Sequence, residues 1–146
     1  ITIFLMCLLS GALSVLLFAC NNTKEVLDID PINVKKAQIG DVMQESAQIT
    51  VTSATLDGNI LSLEVEYSGG CADHTYDLIG SEGVMKSLPA KRAIKLIHNS
   101  NDDSCRELIS ETIKFDIRPL AYMEKSGSEI VLLLDGYKQS ISYVYP

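Results

Sequence analysis

The chain has 146 residues, two histidines, no tryptophan and a formal net charge of −7, which suits one domain with its own buried core. Lys35-Lys36 and Lys91-Arg92 are the only adjacent basic pairs, so the clustered cations that bind a phosphate backbone are missing and nucleic acid is excluded as a partner. Without tryptophan, an aromatic platform for a glycan would have to be built from tyrosine or phenylalanine.

Residues 1–19 form an apolar run with no charged side chain, followed by the abruptly polar Asn21-Asn22-Thr23-Lys24-Glu25. The pattern reads as a secretory signal, although the run also approaches the length of a membrane-spanning anchor. Its end, Leu17-Phe18-Ala19-Cys20, resembles the lipobox of bacterial lipoproteins, with Phe18 an uncommon occupant of its slot. The resemblance implies cleavage before Cys20, lipid on its thiol and acylation of the new amino group, because stable anchoring takes more than one acyl chain. Asn21 in place of aspartate implies, on the same resemblance, the outer rather than the inner membrane of the cell envelope. No basic segment precedes the apolar run, so the first residues of the precursor are expected to lie before Ile1.

Residues 20–46 mix polar side chains with isolated Val, Ile and Leu and contain Pro31, which reads as the lipidated cysteine and a flexible tether. Pairing of Ile32 to Val34 as an edge strand is a local alternative. From residue 47 to 146 the apolar period is two, the mark of half-buried strands. Gln48 to Leu56 is the first strand, joined through Asp57-Gly58-Asn59, a tight-hairpin signal, to Ile60 to Tyr67. There Leu61, Leu63, Val65 and Tyr67 share one face. His74 to Ile79, Arg92 to His98 and Leu108 to Ile117 follow, the last ended by Arg118-Pro119. Glu129 to Leu134 is continuously apolar and is expected to be covered on both faces, and Asp135-Gly136 turns the chain into Ser140 to Tyr145. About seven strands joined by short polar loops predict an all-β, antiparallel two-sheet β-sandwich of immunoglobulin-like topology, with a small β-barrel as the alternative. Gly80 to Ala90 and Ser104 to Glu111 admit a helical turn instead.

Once Cys7 is removed with the signal and Cys20 carries lipid, Cys71 and Cys105 are the thiols left in the domain. An even pair in an exported chain predicts a disulfide. Both histidines lie near these cysteines, in Cys71-Ala72-Asp73-His74 and in His98 to Cys105, so a Cys2His2 zinc site competes with the disulfide. Against zinc, the second pair has six residues between its ligands. A softer metal reading survives disulfide formation, in which His74 and His98 bind a divalent ion with Asp102 and Asp103. The plainer reading is that His98, in phase with Ile94 and Leu96, and His74, in phase with Tyr76 and Leu78, are hydrogen-bonded residues at the core edge. Asn99 to Asp103 carries oxygen ligands suited to calcium but lacks the ordered loop of a calcium site, so a solvated turn is expected. No cofactor is expected.

The segment from Ser68 to Cys105, with its Gly-Gly-Cys-x-x-His run, resembles small uncharacterised β-rich bacterial lipoproteins; this implies only that the two cysteine loops belong together. No G-x-S-x-G, H-E-x-x-H or phosphate loop is present, so the expectation is a non-enzymatic envelope domain that binds a protein, peptide or glycan. The alternatives are a metal-binding lipoprotein and an envelope hydrolase.

Overall fold

The computed structural model describes residues 33–146. The expected signal run, Cys20 and most of the expected tether lie outside the described residues. One end of the sandwich carries the Cys71–Cys105 disulfide and the other the 3-10 helix Arg118–Leu120.

Among the described residues nine strands form two facing sheets. One sheet has the order β1-β7-β4-β3 and the other β2-β5-β6-β8-β9. β3 (Thr50–Asp57) and β4 (Ile60–Gly69) form a hairpin in register from Asp57↔Ile60, so its loop is Gly58-Asn59. Gly58 has φ +56°, the left-handed conformation that glycine adopts without strain at such a turn. β5 (Thr75–Ser81) and β6 (Ala90–Asn99) form the second hairpin, and β8 (Glu129–Leu134) and β9 (Ser140–Val144) the third. β7 (Glu107–Asp116) pairs antiparallel with β4 along its whole length.

The all-β, two-sheet architecture is as expected, and all seven anticipated strands are present. The expectation of wholly antiparallel sheets is corrected. β1 (Val34–Lys36) lies parallel to β7, β2 (Gln38–Gly40) parallel to β5, and β6 parallel to β8, so both sheets are mixed. β1 and β2 lie in the segment expected to be tether. Ala37 between them is only 2% exposed and donates its amide to the Asp116 carbonyl at 2.9 Å, so the chain crosses from one sheet to the other through the core. Three-residue strands hold too few alternations to register as a period, which is why residues 34–40 read as irregular. No helix forms at Ser104 to Glu111; β7 begins at Glu107. The stretch after β5 is a loop carrying one bridge, Met85↔Lys91, and a 3-10 helix, Arg118–Leu120, follows β7.

Burial explains the alternation. Leu61, Leu63 and Val65 of β4 and Phe115 of β7 meet Ile130, Leu132 and Tyr143 of the other sheet in one core. Burying such side chains is worth roughly 1.5–3 kcal/mol each, the main term opposing chain entropy. The outward Val131 and Leu133 of β8 are half-buried, so this strand is fully covered on one face rather than on both. β6 carries Arg92, Ile94, Leu96 and His98 on its inward face. Its middle is apolar core, while a cation and an imidazole stand at its two ends. Each end of the sandwich is built around one of them.

Candidate functional site

Cys71 and Cys105 form a disulfide with Cα atoms 5.8 Å apart, so the expected pairing holds and a zinc site using these thiolates is excluded in this form. Asp103 organises both cysteine loops. Its Oδ2 accepts the amides of Cys71 at 2.9 Å and Ala72 at 3.0 Å, and its Oδ1 accepts the Cys105 amide at 2.8 Å. These bonds to the charged form, the Cys105 amide foremost, hold its carboxyl far below the usual carboxylate range. Asp103 is therefore a fixed anion.

The two histidines meet. His74 Nε2 lies 3.1 Å from Asp103 Oδ2, His74 Nδ1 lies 2.7 Å from His98 Nε2, and His98 Nδ1 lies 3.1 Å from the Gln48 carbonyl. The side chains of His74 and Asp103 are 2% and 0% accessible. Tyr67 of β4 stacks on His74 at 4.6 Å between centroids, and Tyr76 of β5 stacks on His98 at 5.3 Å. Both tyrosine hydroxyls donate to Oε1 of Glu111 on β7, Tyr67 at 2.7 Å. Burial, reinforced by that carboxylate, pushes both phenols up. Desolvation by burial holds His98 below the ordinary imidazole range.

Local sequence supports this packing. A Cβ on Gly69 would stand 2.8 Å from His74 Cε1 and Nε2, so glycine is what lets the imidazole lie against the end of β4. Asn101 and Asp102 adopt φ +49° and +56°, conformations that Asn and Asp tolerate better than most residues, and they turn the chain back toward Cys105.

Of the residues expected to bind metal, His74, His98 and Asp103 are brought together. Asp102 is exposed on the turn and makes no hydrogen bond to either histidine among the described residues. The softer metal reading is revised on geometry. All four ring nitrogens have partners, and the two that face each other stand at hydrogen-bond separation, whereas a tetrahedral ion with bonds of about 2.0–2.1 Å would hold them more than 3 Å apart. Cys71, Cys105 and Asp103 present ligand atoms within 4.8 Å of one another, but both sulfurs are committed to the disulfide. The plainer expectation for the histidines, hydrogen-bonded side chains at the core edge, matches the geometry.

At the opposite end Arg92, 7% exposed, donates to backbone carbonyls alone: Leu120 at 3.1 Å, Ser81, and more distantly Glu82 and Ala121. Burial lowers its pKa, and among the described residues no carboxylate forms an ion pair with it. Gly80 makes room, since a Cβ there would be 2.6 Å from Leu120 Cδ2 and 3.0 Å from Arg92 Cδ. The guanidinium thus braces the end of β5 against the end of the 3-10 helix. The loops that follow carry exposed apolar side chains: Leu88 is 101% exposed, and Tyr122 and Met123 are exposed as well. Leu88, Pro89, Tyr122 and Met123 line an open depression of about 680 Å³. Sequence reasoning missed both Arg92 and this surface. The signal for Arg92 was its phase with Ile94 and Leu96; the loop residues belong to no period.

No family model matches the chain, and no curated protein matches it. Solved structures share its fold at low identity. A NigD-like immunity protein from Bacteroides caccae ATCC 43185 aligns with a TM-score of 0.55 and 14% identity over 76% of this chain and 64% of its own. A protein of unknown function, DUF1344, from Bacteroides vulgatus ATCC 8482 aligns with a TM-score of 0.52 and 16% identity over 77% and 58%. A candidate lipoprotein from Bacteroides fragilis NCTC 9343 aligns with a TM-score of 0.48 and 15% identity over 77% and 71%. The chain spans less than two thirds of the length of the first two. Among the described residues no helix is long and apolar enough to cross a membrane.

Proposed function

We propose that this chain is a membrane-tethered lipoprotein of the bacterial envelope whose sandwich is a non-enzymatic binding domain, taking a protein partner on the apolar depression formed by Leu88, Tyr122 and Met123. The observation that carries the reading is the exposure of these three large side chains around one depression, on two loops that leave the strand and helix ends held by one buried arginine. Isolated exposed hydrophobics are ordinary, but a cluster on two loops around one depression is the form of an interaction site. Two neighbours with TM-scores above 0.5 are named as a NigD-like immunity protein and a protein of unknown function, which is compatible with a role other than catalysis.

Two experiments test the reading. Replacement of Cys20 by serine abolishes lipid labelling and releases the protein from membranes; a Cys20→Ser chain that stays membrane-bound at unchanged size overturns the tether. A photo-crosslinking residue at Leu88 or Met123 in living cells yields one discrete protein adduct, lost in Tyr122→Asp and absent when the crosslinker stands at Lys138. Adducts only to lipid, only to a second copy of this chain, or none at all overturn the protein-partner assignment.

A further inference from the structure

We propose that His74 and His98 form one buried proton-binding site, in which two imidazoles hold three protons between them and share the third across their 2.7 Å contact. The count follows from the partners. Asp103 is an anion already accepting two amides on Oδ2, so the His74 Nε2 beside it must donate. The Gln48 carbonyl can only accept, so His98 Nδ1 must also donate. Two neutral rings with those protons in place would point lone pairs at each other across the central gap. Moving either proton to the middle would instead set a lone pair against the carboxylate or the carbonyl. Only a third proton makes all three contacts attractive, and it gives the pair one positive charge beside the Asp103 carboxylate.

The surroundings fit a single charge. From β4 Tyr67 and from β5 Tyr76 present ring faces to the pair, and Glu111 of β7 lies behind their hydroxyls. Asp103 faces it from the loop before β7, and the Gln48 carbonyl from the segment before β3. The pair ties together three pieces of chain: the Cys71 to His74 loop, the end of β6, and residues 46–48, where Ser46 Oγ accepts the His98 amide at 2.9 Å. Burial of His98 opposes added charge on the pair; the Gln48 carbonyl acts the other way, and repulsion from His74 adds to the effect of burial. The site therefore takes one proton and refuses another, and the closure of this end of the sandwich depends on pH.

The chain contains only these two histidines, so every imidazole signal reports on the site. The test is nitrogen NMR of the full, disulfide-intact chain labelled at histidine, from about pH 8 to about pH 5, where ordinary imidazoles pass from mostly neutral to mostly charged. The expected spectrum has three protonated ring nitrogens and one unprotonated or fast-sharing nitrogen near neutral pH, together with a far-downfield shared proton. The pair should gain less than one further proton down to about pH 5. Two independent titrations centred near about 6.5, or a pair holding only two protons at neutral pH, would overturn the proposal. His74→Gln is the second arm: the downfield proton disappears and His98 titrates alone. Persistence of that proton in the variant also overturns the assignment.

Discussion

Removing the disulfide isolates what the covalent link contributes to this fold. In Cys71→Ala/Cys105→Ala the bonds from the Asp103 carboxylate to the amides of residues 71, 72 and 105 survive, because they use backbone donors. The folded structure is therefore expected to persist, and the loss to fall on the unfolded chain, which regains the freedom of a loop closed across a sequence separation of 34. In the chain-entropy model a loop of that size is worth about 4 kcal/mol. For a domain of about 110 residues, with an unfolding entropy near 2.1 cal/mol/K per residue, 1 kcal/mol shifts the midpoint by about 4 °C, so the variant should melt about 15 °C lower. Circular dichroism melts and urea titrations of both proteins measure this, and the urea slope tells whether the unfolded ensemble has changed. A loss below about 1 kcal/mol at unchanged slope would refute the reasoning, since it would mean that the link restricts the unfolded chain little. A loss well above 5 kcal/mol would show that the amide bonds to Asp103 fail without it.

Three further outcomes follow from the geometry. Arg92→Met should cost roughly 2–3 kcal/mol in urea unfolding, because the carbonyls of Leu120 and Ser81 lose a buried charged donor; Arg92→Lys should not restore it, since one ammonium cannot span both segments. A loss under 1 kcal/mol would show that water replaces the guanidinium. Tyr143→Phe should cost about 1 kcal/mol, the worth of the 2.6 Å bond from its hydroxyl to Asn59 Oδ1, with the 0% exposed ring still packed; a circular dichroism melt shifted by more than about 10 °C would contradict that. The depressed carboxyl of Asp103 brings a loss of stability that begins as pH drops below about 4, where the unfolded group protonates, and Asp103→Asn should flatten that limb in urea titrations against pH. A limb unchanged in Asp103→Asn would refute it.

Period-two alternation was enough to find β3 to β9, with Glu129–Leu134 bounded as observed, and to place Leu61, Leu63 and Val65 inward. It determined this much because strand pleating converts position in the chain directly into side of the sheet. Cysteine count and export signals were enough to pair Cys71 with Cys105. Alternation does not say which strand lies beside which. The parallel β6–β8 pairing, and the crossing of residues 34–40 from one sheet to the other, were decided by how two twisted sheets close over a shared core. The same holds for function. His74 and His98 were visible as neighbours of the cysteines, but their nitrogens meet at 2.7 Å only because Gly69 leaves room, the β5–β6 register sets Tyr76 opposite His98, and Asp103 draws both loops inward. Arg92 could be read as in phase with the core; that it ends on carbonyls and holds an apolar surface open to solvent depends on where two distant loops come to rest.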